Sequence, residues 1–184
     1  MRTFIALELP ERMVDEVAAF ARGLGACVPG RLMKPDTYHL TLAFLGEVDE
    51  RQARTAMAAL DAAAGGRRPV RLAPDGLGKF GKPHDATLWL GVAPAPALLE
   101  LADAVRAELV ERGVPFDRKA FRPHITLARR AKLARGPLPE LPFPGPADAS
   151  RVTLFKSTLG PEGARYKPLY TVELRPANRS IEPL

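Results

Sequence analysis

The sequence predicts an α+β fold in a single domain. The chain has 184 residues, which suits one domain, and its 46% content of hydrophobic residues is enough for a buried core. Segments with strand and helix periodicity alternate irregularly, which favours an α+β or mixed sheet over a doubly wound parallel sheet. Several sequence features also recur in the same order, which indicates an internal repeat.

Two strands and two helices account for the first part of the chain. Residues 3–9 form a predicted strand, and Pro10 begins an amphipathic helix that ends in a glycine-rich stretch. Residues 38–45 form the next strand. Asp49 is then a suitable N-cap for an alanine-rich helix that ends at about Ala64.

The second part of the chain is predicted to contain more strands and one further helix. The helix spans 96–112, where apolar residues recur at helical spacing. Proline-rich residues 136–146 form a loop. The remaining strands are expected at 69–78, 86–93, 123–129, 150–159 and 166–175.

The internal repeat relates the two parts. Equivalent features lie 82–86 residues apart and include a strand followed by proline, an amphipathic helix, a Val-Pro pair, a His-x-Thr strand and a later Val-to-Gly strand. The sequence therefore predicts two copies of a strand–helix–strand–strand unit, at about residues 3–80 and 86–160, within one domain covering residues 1–184.

The most informative repeated feature is a His-x-Thr motif. It occurs as His39 and Thr41 in the first copy and as His124 and Thr126 in the second. Residues i and i+2 of a strand project from the same face, so each histidine shares a face with its threonine. The intervening apolar residues face the core. Two such motifs at matching repeat positions point to a function.

Two imidazoles and two hydroxyls can act together on a phosphate ester. With an ordinary pKa near 6.5, one histidine can be neutral while the other is protonated, which provides a general base and a general acid. The threonine hydroxyls can donate hydrogen bonds to phosphate oxygens. The sequence shows no cluster of metal ligands and needs no Ser-His-Asp set. We therefore expect metal-independent phosphoryl displacement by an activated water, with no cofactor.

In their context the two motifs resemble those of the 2H phosphoesterases. More narrowly, the chain is similar to the LigT-like RNA 2′,3′-cyclic 3′-phosphodiesterases, also called 2′-5′ RNA ligases. The resemblance covers almost the whole chain. It rests on the segments Met1 to Leu7, Tyr38 to Val48, Gly76 to Phe80, Leu88 to Val92, Phe121 to Arg129 and Ser157 to Tyr166.

The resemblance implies a fold and a reaction. The fold is a bilobal, pseudo-twofold arrangement in which two antiparallel sheets form a central cleft with helices outside. The reaction opens a terminal 2′,3′-cyclic phosphate of RNA to a 2′-phosphate, with reversible 2′-5′ ligation as a weaker activity. His39 is then the proton donor and His124 the proton acceptor, although sequence symmetry leaves these roles open to exchange. Thr41 and Thr126 hold the phosphate.

Five further residues are predicted to contact substrate. Strand alternation places Arg122 and Arg130 on the face of His124 and turns Arg129 to the opposite face. Arg130 is therefore the first choice for a phosphate contact. The resemblance adds Ser157 and Tyr166 as cleft residues, and Phe44 is a candidate for stacking on a base. The complete set is Arg130, Arg122, Ser157, Tyr166 and Phe44.

Charge and composition bear on the partner and the compartment. The formal charge is +6, which suits an RNA with a 2′,3′-cyclic phosphate end or a cyclic nucleotide. The single cysteine, Cys27, cannot form an internal disulfide, and no segment resembles a signal peptide or a membrane span. We expect a monomeric cytoplasmic protein.

Two other functions stay open from the sequence. One is a phosphodiesterase acting on another 2′-5′ or cyclic nucleotide, since the motifs are shared across such enzymes. The other is a noncatalytic basic RNA-binding module, in which the histidines are structural and binding survives their loss.

Overall fold

The computed structural model describes residues 1–134 and 136–175. These residues form three α-helices, one 3₁₀ helix and ten strands, in the α+β arrangement that the sequence predicts. The elements are β1 (Arg2–Glu8), α1 (Glu11–Gly25), β2 (Arg31–Leu32), the 3₁₀ helix (Pro35–Thr37), β3 (His39–Glu47), α2 (Glu50–Ala64), β4 (Val70–Leu72), β5 (Pro74–Lys82), β6 (Asp85–Val92), α3 (Pro96–Glu111), β7 (His124–Ala131), β8 (Ala147–Ala149), β9 (Arg151–Gly160) and β10 (Gly163–Glu173).

Local sequence explains the helix starts. The Asp49 side chain accepts a hydrogen bond from the Gln52 amide, and the Gln52 side chain returns one to the Asp49 amide, which completes a capping box for α2. Helix α3 begins with Pro96, whose fixed φ suits the first helical position. The elements that sequence patterns did not predict are β2, the 3₁₀ helix and β8, each only two or three residues long.

The main sheet is antiparallel and has the strand order β10-β9-β1-β3-β7-β6-β5, with β2 beside β7. A second sheet consists of β4 and β8. The predicted two sheets correspond to two halves of the main sheet, joined where Leu40 of β3 pairs with Ile125 of β7. Beyond that pair β3 and β7 separate, and β2 takes the place next to β7.

The two predicted repeat copies exchange strands between the halves of the sheet. Strand β5, which ends the first copy, pairs with β6 of the second copy. Strand β9, which belongs to the second copy, pairs with β1 of the first. The β4–β8 sheet also takes one strand from each copy. The boundaries of the repeats are therefore not those of the sheet halves, and the two copies are interlocked.

One face of the sheet is buried beneath the helices. Leu40, Leu42, Ile125 and Leu127 are at most 1% exposed, as the alternation in both His-x-Thr strands predicts. Helix α3 packs against β3, and α2 packs against β9 and β10. The opposite face of β3 and β7 carries the histidines and threonines. Among the described residues, no helix is long and apolar enough to span a membrane.

Candidate active site

The pairing of β3 with β7 brings the two His-x-Thr motifs together. Leu40 lies opposite Ile125 in the antiparallel register, and both side chains are buried. On the other face, the same register places the histidine of each motif opposite the threonine of the other. Directly opposed residues on neighbouring strands lie about 4.5–5.5 Å apart. The four side chains therefore form one cluster around a local twofold axis.

Backbone carbonyls fix the tautomer of both imidazoles. His39 Nδ1 donates to the carbonyl of Thr37 at 2.7 Å, and His124 Nδ1 donates to the carbonyl of Arg122 at 2.6 Å. Because a carbonyl can only accept, each Nδ1 carries a proton and each Nε2 is left for chemistry. The Nε2 atom of His39 lies 3.1 Å from Thr41 Oγ1.

The surroundings favour the neutral form of both histidines. The pKa of His39 is lowered to about 4, mainly by burial; the hydrogen bond to the Thr37 carbonyl opposes this effect, and the positive charges of His124 and Arg129 add to it. Burial also lowers the pKa of His124, and the charges of Arg122 and Arg129 add to that effect. Negative charge introduced between the histidines would oppose these effects and favour protonation.

Aromatic rings pack against each histidine. The His39 ring centroid lies 4.7 Å from that of Phe4 and 5.2 Å from that of Tyr166, which stands edge-on. The histidine of the second motif has Phe80 at 5.2 Å, also edge-on, and Trp89 at 5.6 Å. Each wall of the site is therefore a histidine supported by two aromatic side chains.

The predicted orientation of Arg129 is wrong. In the pairing with β6, Thr126 and Ala128 have adjacent partners, so Leu127 is an extra residue in β7, a β-bulge. The bulge turns Ala128 to the buried side, where it is 3% exposed. Simple alternation fails at this point, and the charge of Arg129 acts on both histidines. A second irregularity follows at once, because Arg129 and Arg130 together lie opposite the single residue Thr87 of β6.

Arg129 reaches both halves of the site. Its charge lowers the pKa of His39, His124 and Tyr166. Among the described residues no carboxylate forms an ion pair with it. Arg130 is exposed and has a positive φ of 54°. The sequence signal for the bulge is the pair of apolar residues, Leu-Ala, that follows each His-x-Thr motif and interrupts the alternation.

The same bulge occurs in the first motif. Thr41 pairs with Ala6 and Ala43 with Ile5, which leaves Leu42 as the extra residue of β3. Phe44 is thereby turned to the motif face, where it is half-buried. The guanidinium of Arg2 lies 4.8 Å from its ring centroid and covers one side of the ring.

The other predicted contact residues lie around the cluster. Tyr166 of β10 pairs with Ser157 of β9, and both are half-buried. Arg122 is exposed and holds His124 through its carbonyl. Its guanidinium lies 6.0 Å from the Phe80 ring centroid. Sequence reasoning did not select Arg129, Phe4, Phe80 or Trp89 as site residues.

The fold and the paired motifs define a two-histidine phosphoesterase. The family model described as the 2′-5′ RNA ligase superfamily matches residues 12–161. The chain therefore belongs to the 2′-5′ RNA ligase superfamily, as the resemblance indicated.

Relatives and solved structures agree with this assignment. A Thermotoga maritima protein named RNA 2′,3′-cyclic phosphodiesterase is 33% identical, with 92% of this chain and 94% of that protein covered. An Escherichia coli protein of the same name is 32% identical, with 91% and 93% covered. For a Geobacillus stearothermophilus protein of that name, at 35% identity, the alignment covers 69% of this chain and 41% of that protein.

The fold is also shared with known structures. The crystal structure of E. coli LigT in apo form matches with a TM-score of 0.76 and 30% identity, covering 95% of this chain and 97% of that one. TT0787 of Thermus thermophilus matches with a TM-score of 0.79 and 30% identity, covering 96% and 99%. The predicted α+β class is confirmed.

Proposed function

We propose that the chain hydrolyses a terminal 2′,3′-cyclic phosphate of RNA to a 2′-phosphate without a metal ion. The observation that carries this proposal is the arrangement of the two His-x-Thr motifs about the Leu40–Ile125 pair, with both Nε2 atoms unengaged by the backbone. The names of the relatives support the same substrate.

The reaction needs one proton acceptor and one proton donor. Nε2 of His124 takes a proton from water, and the water oxygen attacks phosphorus. The P–O3′ bond breaks on the opposite side, and O3′ takes a proton from Nε2 of His39. The products are a 2′-phosphate and a 3′-hydroxyl, and the two histidines have exchanged protonation states.

Burial supports this division of roles. His124 is less deeply packed than His39, so a water molecule can reach it from solvent. His39 lies against Phe4 and Tyr166, which offer apolar surface to the nucleoside that carries O3′. Binding of the phosphate anion raises the pKa of the donor histidine, so the substrate itself favours the protonated form that the reaction needs.

Three other side chains are proposed to hold the phosphate. The hydroxyls of Thr41 and Thr126 donate to its non-bridging oxygens from opposite strands. Arg129 faces both histidines, and its guanidinium can form two parallel hydrogen bonds to phosphate oxygens. These donors also stabilise the negative charge that builds up on those oxygens in the transition state.

The remaining contacts are proposed for the nucleoside and the RNA strand. Tyr166 and Ser157 lie side by side next to His39 and are suited to the terminal nucleoside. Phe44 offers the side of its ring that Arg2 leaves open. Arg122 extends the positive surface on the other wall. Arg130, an exposed residue with a positive φ, is not included in this set.

The same groups suit 2′-5′ ligation. A 5′-hydroxyl in place of water can give its proton to His124, attack the cyclic phosphate and leave a 2′-5′ phosphodiester. We further propose that the protein is monomeric and cytoplasmic. The one cysteine, Cys27, is free, which agrees with a reducing compartment.

The test uses an RNA that ends in a 2′,3′-cyclic phosphate, incubated with the protein in EDTA. The expected product is a 2′-phosphate, identified by mapping the product end. His39→Ala and His124→Ala are each expected to lower turnover by at least ~10²–10⁴-fold, because each removes a general acid–base step. A second RNA with a free 5′-hydroxyl tests ligation.

Each other result would contradict the proposal. Absence of turnover on any cyclic phosphate in wild-type protein excludes it. Salt-sensitive RNA binding that survives loss of both histidines, with no turnover, supports a binding module. A 3′-phosphate product means that the other ester bond breaks.

A sulfur substitution tests the assignment of donor and acceptor. A cyclic substrate with sulfur in place of O3′ has a leaving group that needs no protonation. This substrate is therefore expected to restore activity to His39→Ala but not to His124→Ala. Rescue of His124→Ala alone would exchange the two roles.

A further inference from the structure

The two histidines are held by carbonyls in different surroundings. Thr37, which holds His39, lies in the 3₁₀ helix, where its hydroxyl donates to the Lys34 carbonyl at 2.6 Å. Arg122, whose carbonyl accepts a hydrogen bond from His124, lies near the end of a segment that follows α3 and has no helix or strand. The position of His124 therefore depends on tertiary contacts to this segment, residues 114–123.

Arg106 of α3 makes the central contact of that segment. Its Nη1 donates to the carbonyl of Lys119 at 3.0 Å. Its guanidinium carbon also lies 5.4 Å from the ring centroid of Phe121 and 5.9 Å from that of Phe116. Arg106 thus holds the segment by one hydrogen bond and two cation–π contacts, close to Arg122.

The same guanidinium also binds the other motif strand. Nε of Arg106 donates to the carbonyl of Leu42 at 3.1 Å. Leu42 is the extra residue of the β3 bulge, directly after Thr41. A second bond, from the Asp117 amide to the Phe44 carbonyl at 2.8 Å, ties the segment to β3 just beyond the bulge. Burial lowers the pKa of Arg106, as expected for a half-buried guanidinium.

We propose that Arg106 is a positioning residue for catalysis, which sets His124 relative to the Thr41 side of the site by binding both motif strands at once. It acts through the Lys119 carbonyl and the Phe121 ring on the Arg122 carbonyl, and so on Nδ1 of His124. His39 takes no part, because its own carbonyl partner is held within the 3₁₀ helix. The inference rests on the proposed function for its rate effect, but not for its structural effect.

The variants are Arg106→Gln and Arg106→Lys, with Arg112→Gln as matched control. Arg112 is the C-cap residue of the same helix, and within the described part of the chain its ion pair is with Glu108, at 3.0 Å. Lysine keeps the charge but cannot reach two carbonyls with a planar fork. In Arg106→Gln we expect kcat to fall about 10-fold and KM to change less than two-fold. In Arg106→Lys we expect a smaller fall in kcat. The kcat and KM of Arg112→Gln should equal those of wild type.

NMR of the imidazole resonances provides a readout that does not depend on turnover. The chain has three histidines, so the signals can be assigned by single substitutions. In Arg106→Gln we expect a changed chemical shift and pKa for His124, with the titration of His39 unchanged. In a His124→Ala background, the kcat effect of Arg106→Gln should disappear.

The outcomes separate this inference from the proposed function. If wild-type protein lacks turnover while His124 alone shifts in the Arg106 variants, the proposed reaction fails and the positioning role stands. Equal shifts of His39 and His124, no shift of His124, or a kcat loss that persists without His124 would overturn the positioning role. So would failure of Arg106→Lys to fold, because the residue would then be required for the fold itself.

Discussion

Replacing Arg129 tests the central consequence of the β7 bulge. Arg129→Gln removes a guanidinium whose charge acts on both histidines, whereas Arg130→Gln removes an equal charge from the adjacent exposed residue. A hydrogen bond to a charged group contributes about 1.5–3 kcal/mol. Loss of one such bond to phosphate therefore lowers kcat/KM about 10- to 160-fold, and loss of both lowers it further. The kcat/KM of Arg129→Lys should lie between those of wild type and Arg129→Gln, since lysine keeps the charge but lacks the planar guanidinium.

The same substitution also shifts the pH dependence. The charge of Arg129 lowers the pKa of His39 and of His124, so its removal raises both pKa values towards 6.5. The kcat/KM profile of Arg129→Gln should therefore move to higher pH, while that of Arg130→Gln stays at the wild-type position.

The assay is steady-state cleavage of an RNA with a 2′,3′-cyclic phosphate from pH 4 to 8. Folding of each variant is checked by circular dichroism. Equal losses in Arg129→Gln and Arg130→Gln, or wild-type activity in Arg129→Gln, would refute the orientation and the phosphate role inferred from the bulge.

Three other predictions follow from the described contacts. Because burial lowers both histidine pKa values and the free enzyme needs one protonated imidazole, wild-type kcat/KM should rise as pH falls below 6.5. It should decline towards pH 4, where both imidazoles are protonated and no proton acceptor is left; a profile flat from pH 5 to 8 would contradict this. Gly78→Ala places a methyl group against the Trp89 ring, too close for an ordinary contact, which should destabilise the fold by about 1–3 kcal/mol and change the fluorescence of this single tryptophan. Both changes are measurable in urea titrations. Asp49→Ala removes the α2 cap and should cost about 1 kcal/mol, seen as a lower Tm with unchanged activity at 25 °C; reduced activity would mean that α2 influences the site.

The sequence predicted the parts of the fold that have local periodicity. The start of α2 at Asp49 and the extents of α2 and α3 follow from capping and from a continuous apolar stripe. The exchange of β5 and β9 between the sheet halves could not be predicted in this way. Each strand carries an alternation that fits either partner, and long-range packing selects one of them.

In the site, too, local patterns could be predicted from the sequence and longer-range features could not. Two repeated His-x-Thr motifs were enough to select His39 and His124, because i and i+2 share a face over short lengths of strand. The error at Arg129 arose directly after Thr126, where the extra residue Leu127 reversed the alternation. The prediction of face thus held up to the bulge and failed beyond it, and the Leu-Ala pair was its only local trace in the sequence.

The bulges also make the two sides of a nearly symmetric site chemically different. Both motifs are followed at the same spacing by a residue that a bulge turns to the motif face, Phe44 in β3 and Arg129 in β7. The backbone geometry is therefore repeated while the chemistry differs, with an aromatic ring on one strand and a cation on the other. A cyclic nucleotide is itself asymmetric, since its charge is on the phosphate and its stacking surface is on the base. In one orientation the base lies on the β3 side, where Phe44 offers its ring, and in the reverse orientation it lies on the β7 side, where Arg129 offers a charge instead. Under the proposed function, we expect the first orientation to be preferred, and with it His39 as proton donor and His124 as proton acceptor.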